Sequence, residues 1–342
     1  KQKTAYDIMP SLVGSEMCVR DRVTNMVFGP KIRMDLRTDK QVYLPGDLIT
    51  TYINVYTDKP FKFNSALLEI VCIAKLFVRP VVIATGGSAL VEKKYKTITT
   101  ELMKLAYPIN IPGNVVQPPG FSFTWPIKIP ENALPTHYGS AIKITWEVRF
   151  VFSRGRLAGN IYQAAAFHVL QKENEELMRN PVAKKEIVDF GIAKIMLQKA
   201  MYHPGEKLHG IVEFVATEEM KIREIVATLK HVEEIGPAKF NGSRYMGRSE
   251  KTFAKLKLSK KIKVSPGDSL RLPFTFDIPP ESNQKPSFIT NDIVSLWLVQ
   301  ITIPRRIFKD IEISIPALIT NSYRQQNASS AESNQTIENA FS

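Results

Sequence analysis

The 342-residue chain carries 46 Lys and Arg against 33 Asp and Glu, a formal net charge of +13 at pH 7. Apolar residues make up 44% of it, too many for a mainly disordered chain and enough for real cores, and the length favours two domains over one. A balance this basic seeks anions: nucleic acid, phospholipid headgroups or an acidic protein face.

The motifs narrow those partners. There is no zinc-finger spacing, no RNP aromatic motif and no basic helix followed by heptads, so nucleic acid is not expected. A membrane surface or an acidic partner remains. No run of 18 apolar residues occurs, so no membrane-spanning helix is expected. The two cysteines, Cys18 and Cys72, suit a reducing compartment, with Cys72 as a small core residue.

In chain order, residues 1–30 are mixed and poorly periodic, and read as an N-terminal extension. Strand signals begin at "KIRMDLRTDKQVYLPGDLITTYINVYT". Ile32, Met34 and Leu36 alternate with polar residues. A Tyr43-Leu44-Pro45-Gly46-Asp47 corner follows, then a second strand with Ile49, Tyr52, Ile53 and Val55. "SALLEIVCIAKLFV" is rich in β-branched residues and too short for a helix. "FSFTWPIKIPENALP" is a strand ending in an Ile-Pro step and a Pro-containing loop. "AIKITWEVRFVF" is a further strand centred on Trp146. Together these predict a β-sandwich over 31–171.

The stretch 172–188, within and just beyond "QKENEELMRNPVAKKE", is charged and helix-prone. Pro181 would end a short helix there, and the stretch reads as an interdomain connector. Then the order repeats. "MYHPGEKLHGIVEF" brings Tyr202, Pro204, Gly205 and Glu206 into a corner like the first. "KIREIVATLKHVEEI" matches the first long strand, "LPFTFDIPPESNQKP" ends in an Ile-Pro step, and "IVSLWLVQITI" is centred on Trp297. The offset of roughly 150 to 160 residues is a domain length, far above solenoid or propeller periods. The chain reads as all-β: a sandwich duplicated in tandem, with the second over 189–320 and a polar flexible tail over 321–342.

Signals for catalysis are weak. The histidines, His137, His168, His203, His209 and His231, pair with no Cys or acid at metal-ligand spacing. "DFGI" at Asp189–Ile192 lacks the Gly-rich loop, strand lysine and catalytic loop of a kinase, so Phe190 and Ile192 read as strand residues. "TGGS" at Thr85–Ser88 lacks the Lys and helix of a phosphate-binding loop. No nucleophile, base and orienter stand in recognisable order. The expectation is a non-enzyme with no cofactor and no metal.

One charge pattern stands out. In "TFAKLKLSKKIKVSPGD", a strand would set Lys255, Lys257, Lys261 and Lys263 on one face and Leu256, Leu258, Ile262 and Val264 on the other, with Lys260 as the exception. The lysines are either a contact for anionic lipid or an acidic partner, or the protection of an edge strand against aggregation. Arg305, Arg306 and Lys309, after the Trp297 strand, could extend the surface.

The two Tyr-x-Pro-Gly-acid corners at the heads of similarly ordered halves resemble the arrestin clan, over roughly residues 30–318. No Pro-Pro-x-Tyr motif of the α-arrestins is present: Pro118-Pro119 continues as Gly120-Phe121, and Pro279-Pro280 as Glu281-Ser282. "DFGIAKIMLQKAMYHPGEKLHGIVEF" and "DIVSLWLVQITI" are similar to the second domain of the Rgp family, the arrestin-like subunit of the Ric–Rgp guanine nucleotide exchange factor for a Golgi Rab GTPase. This resemblance implies a non-catalytic subunit whose partners are a large Ric-type subunit, a Golgi Rab GTPase and the anionic Golgi membrane. It implies a cytoplasmic protein peripherally associated with that membrane. The alternative is a cargo adaptor of α-arrestin or retromer type, capturing membrane-protein tails.

Overall fold

The computed structural model describes residues 30–83, 89–91, 94–155, 159–188, 190–240, 243–304 and 310–321. The expected N-terminal extension up to residue 29, with Cys18, the Thr85–Ser88 loop, Asp189, the Arg305, Arg306 and Lys309 group, and the tail from 322 lie outside them.

Over its described residues the chain is mostly strand, with little helix. Its first half contains β1 (Ile32–Thr38), β2 (Val42–Tyr43), β3 (Leu48–Thr57), β4 (Phe61–Lys62), β5 (Ser65–Ile83), β6 (Ala89–Val91), β7 (Lys96–Ile109), β8 (Val115–Val116), β9 (Gly120–Lys128), β10 (His137–Tyr138), β11 (Ile142–Ser153) and β12 (Asn160–Val169). A three-stranded sheet, β1-β3-β9, faces a larger layer in which β5 pairs with β7 on one side and β11 on the other, followed by β12 and β2. Two-residue alternation builds the core between them. Leu68, Ile70, Cys72, Ala74, Leu76 and Val78 of β5 are buried on one face, against Ile49, Ile53 and Val55 of β3. The Cys72 thiol lies in this core, and burial pushes it up to about 12.

The second half contains a short helix, α1 (Glu175–Arg179), then β13 (Val182–Val188), β14 (Gly191–Leu197), β15 (Met201–Tyr202), β16 (Lys207–Ala216), β17 (Met220–Phe240), β18 (Ser243–Val264), β19 (Ser269–Asp277), β20 (Phe288–Ile289), β21 (Ile293–Ile303) and β22 (Ile311–Ile319). Sheet β13-β14-β16-β19 and the layer β18-β17-β21-β22-β15 enclose a second core, around Trp297, Phe214, Phe276 and Leu229.

The expected connector has two parts. The Asn174 side chain caps α1 by accepting from the N–H of Glu176 and Leu177, and Pro181 follows the helix as expected. Residues Val182–Val188, however, form an edge strand paired with β14 from Val182↔Leu197 to Val188↔Gly191. Lys184, Lys185 and Glu186 made this stretch look like linker because an edge strand tolerates a charged face. Phe190, expected within a strand, stands in the turn before β14 and packs into the second core.

The two halves share one set of hydrogen bonds. Gly46 (φ +90°) donates to Ile129 O and Gly205 (φ +83°) to Ile278 O, each at the Ile-Pro step. Asp47 accepts from the Leu44 N–H at 2.8 Å and Glu206 from the His203 N–H at 2.9 Å. Trp146 Nε1 donates to Leu134 O and Trp297 Nε1 to Lys285 O, both at 2.9 Å and both 12 residues back. Thr136 N donates to Val169 O, and the Thr136 hydroxyl accepts from Val169 N. Ser287 and Ile319 repeat both bonds. Parallel pairs β2–β12 and β15–β22 close each half in the same way. Gly267 (φ +89°) and Asp268 repeat the Pro-Gly-acid turn a third time, with Asp268 accepting from the Ser265 N–H.

The halves join through strand and side chain. The tip of β18 pairs with β5 at Tyr245↔Pro80 and Met246↔Arg79, so one 13-stranded sheet runs through both. Beneath it Glu233 accepts from His137 Nε2 at 2.7 Å and from the N–H of Ser140 and Ala141. His231 bonds Ser295, and Asn321 bonds Gln171, Thr136 and Val169.

Candidate interaction surface

The lysines of "TFAKLKLSKKIKVSPGD" lie on β18, and Lys255, Lys257, Lys261 and Lys263 are all exposed. Leu256, Leu258 and Ile262 pack against the second core, and Val264 is part of it. Over residues 249–264, β18 pairs only with β17 among the described residues. Among the described residues no strand lies on the other side of that stretch of β18.

The alternation is not strict. Between Ile225 and Val226 the register slips: Val226 opposes Lys257 and Ile225 opposes Ser259, with Leu258 left over. Glu224 then opposes Lys260, and Ile222 opposes Ile262. Both Ile225 and Ile222 are buried in the core, so two consecutive residues on each strand turn outward: Arg223 with Glu224, and Lys260 with Lys261. Lys261 takes φ +46° at this irregularity. Lys260, expected as the exception pointing the other way, is exposed with the rest. The bulge is the reason.

The partner strand adds cations that a reading of β18 alone does not find. Lys221 stands directly opposite Lys263, and Arg223 lies between the Ile222↔Ile262 and Glu224↔Lys260 pairs; both are exposed. Register could have revealed them, but a bulged register cannot be read from one strand. The outward face thus holds Lys221, Arg223, Lys255, Lys257, Lys260, Lys261 and Lys263 on two adjacent strands.

Acids temper this charge without cancelling it. Lys257 Nζ lies 3.0 Å from Glu224 and Lys263 Nζ 2.6 Å from Glu219. The Glu224 carboxyl is held below its usual range, first by the hydrogen bond from Lys257, with the charges of Arg223 and Lys255 adding to it. Among the described residues, Lys221, Arg223, Lys255, Lys260 and Lys261 make no ion pair. Arg305, Arg306 and Lys309 lie outside the described residues.

A different face appears on the first half. Leu48, Tyr52 and Tyr56 stand exposed in a row on β3, with Arg37 opposite Tyr52 and Arg33 opposite Tyr56 on β1. Tyr with Arg is the composition enriched in protein–protein interfaces. The alternation of β3 was legible, but which face met solvent required the second layer.

The described residues contain no group of three or more His, Cys, Asp or Glu placed to hold a metal ion, and no helix long and apolar enough to cross a membrane. A hollow of about 310 Å³, open at the surface, is lined by Met178, Arg179, Gln198, Lys199, Glu206 and Lys207.

The model of a protein family described as Rgp1 matches residues 189–303, and over that stretch the chain is similar to the Rgp family. The match covers β14 to β21 and contains the whole basic hairpin β17–β18. No curated protein matches the chain.

Proposed function

We propose that the chain is a non-catalytic, arrestin-fold subunit of a heteromeric guanine nucleotide exchange factor that activates a Golgi Rab GTPase in retrograde traffic. The observation that carries this reading is the match to the Rgp1 family over residues 189–303. The duplicated hydrogen-bond frame, with its Tyr43 and Tyr202 corners and Trp146 and Trp297 centres, supports two tandem arrestin-like sandwiches.

In this reading the chain works by surfaces. Nucleotide release requires that the complex bind the nucleotide-free GTPase better than the loaded one, a difference in affinity that shifts the population. A large Ric-type subunit completes the exchange factor. The Leu48, Tyr52, Tyr56 face is a surface of the kind such assembly uses. The protein then works in the cytoplasm, peripherally on the Golgi membrane.

The test is release of a fluorescent GDP analogue from a Golgi Rab GTPase, with the chain and its co-purified large partner together and with each alone. Stimulation only by the pair is expected. No stimulation by the pair, with receptor tails captured instead, would move the assignment to the cargo adaptor.

A further inference from the structure

We infer that the outward face of β17–β18, made of Lys221, Arg223, Lys255, Lys257, Lys260, Lys261 and Lys263, is a docking surface for the anionic headgroups of a lipid bilayer. It gives the peripheral-membrane part of the proposed function a location, and it rests on that reading only for which membrane is meant.

Three observations favour lipid over an acidic protein. The first is charge. Glu224 and Glu219 each already engage a lysine, while five cations of the face make no ion pair among the described residues. The second is residue type. Six of the seven are lysine, which protein interfaces disfavour, and none of the exposed large apolar side chains lies on this face; the hairpin's own, Met246, is at the far tip beside β5. A protein partner would need an apolar or aromatic centre to anchor it. A fluid headgroup layer needs only mobile point charges, which lysine supplies. The third is placement. Among the described residues β18 is paired on one side only over 249–264, so the cationic face lies at the rim of the described sheet, where an extended flat surface can approach it. The bulge adds to the effect by turning Lys260 and Lys261 outward together.

Near an anionic bilayer each uncommitted cation strengthens binding roughly fivefold, and the attraction decays within a Debye length of about 8 Å at physiological salt. The experiment is flotation of the full chain with vesicles of phosphatidylcholine and phosphatidylserine, against phosphatidylcholine alone, over a salt series. Lys221, Arg223, Lys255, Lys260 and Lys261 are changed together to Glu, and in a second variant to Gln. A control changes Lys31, Lys59, Lys62, Lys75 and Lys143 to Glu, with the same loss of net charge spread over the first half.

Wild type and control should bind the anionic vesicles in a salt-sensitive way. The Gln variant should bind more than about a hundredfold more weakly, with unchanged circular dichroism. Wild type that ignores phosphatidylserine, a Gln variant that binds like wild type, or a control that loses as much as the Gln variant would each overturn the inference. So would unchanged vesicle binding combined with loss of an acidic protein partner. Nucleotide release is measured in solution without vesicles, so the exchange-factor reading and the lipid surface can fail separately.

Discussion

Glu233 of the second half and His137 of the first, 96 positions apart, meet at 2.7 Å, Oε1 to Nε2, with both side chains buried. The other oxygen of Glu233 accepts from the Ser140 and Ala141 N–H groups. One carboxylate therefore satisfies three donors of the opposite half. Burial alone would raise its pKa, but the hydrogen bonds from His137 and Ala141 outweigh burial and hold it below the usual carboxylate range. Glu233→Ala leaves the His137 and Ala141 donors buried without a partner and should cost about 3 kcal/mol, read as a lower midpoint in urea unfolding. Gly139→Ala should act on the same contact, since a Cβ there would meet Glu233 Oε1 at 1.5 Å.

His231 gives the seam a pH signature. Burial pushes it from 6.5 down to about 3, and its Nε2 bonds the Ser295 hydroxyl. Below pH 6.5 the unfolded chain takes up a proton that the folded chain refuses until about pH 3, so stability falls with acidification across that window. The slope from this one group approaches about 1.4 kcal/mol per pH unit. The lowered Glu233 acts in the same direction, its contribution being full at neutral pH and lost as pH falls through its folded value. His231→Gln keeps a donor for Ser295 without titrating. It should show a shallower loss of stability below pH 6.5 than wild type in parallel urea titrations.

The repeated frame predicts repeated energetics. Trp146→Phe and Trp297→Phe each remove one 2.9 Å bond and strand a part-buried carbonyl, so each should cost about 1–3 kcal/mol. The two tyrosines should differ. The Tyr43 hydroxyl lies 2.8 Å from both Asp39 and the Lys40 carbonyl, which share its single proton, and accepts from the Lys40 N–H, whereas that of Tyr202 accepts from the Lys199 N–H at 3.3 Å. Tyr43→Phe should therefore destabilise more than Tyr202→Phe, about 2 against about 1 kcal/mol. Thermal unfolding of the four variants checks both statements.

The corners demand glycine for a backbone reason. Gly46 sits at φ +90° and a Cβ there would lie 2.6 Å from the Glu131 carboxylate, the end of an exposed and movable side chain. Gly46→Ala and Gly205→Ala should therefore each cost about 1–2 kcal/mol from the left-handed conformation alone. Removing Glu131 should not rescue Gly46→Ala, which calorimetry can decide.

Residues whose meaning is local were legible in the sequence. The Pro-Gly-acid corners, the Ile-Pro steps and the central Trp residues pointed to the all-β class and the doubled order, because the same short motifs recur in the same order along the chain. The lysine face was half legible. Alternation exposed Lys255, Lys257, Lys261 and Lys263, but the bulge that recruits Lys260, and the pairing that adds Lys221 and Arg223, depend on a register between strands. The seam was not legible. Glu233 in "HVEEI" looks like a solvated charge, and only a partner from the other half makes it a buried one. Val182–Val188 was mistaken for connector because its charged side faces water while its backbone pairs with β14.

The most direct test of the account remains nucleotide exchange. The chain is purified from native extract with whatever large partner accompanies it, and release of a fluorescent GDP analogue from a Golgi Rab GTPase is followed in solution. The account predicts fast release with the intact complex and none with the chain alone. Absence of a stoichiometric large partner, or a complex that leaves the release rate unchanged, would contradict it.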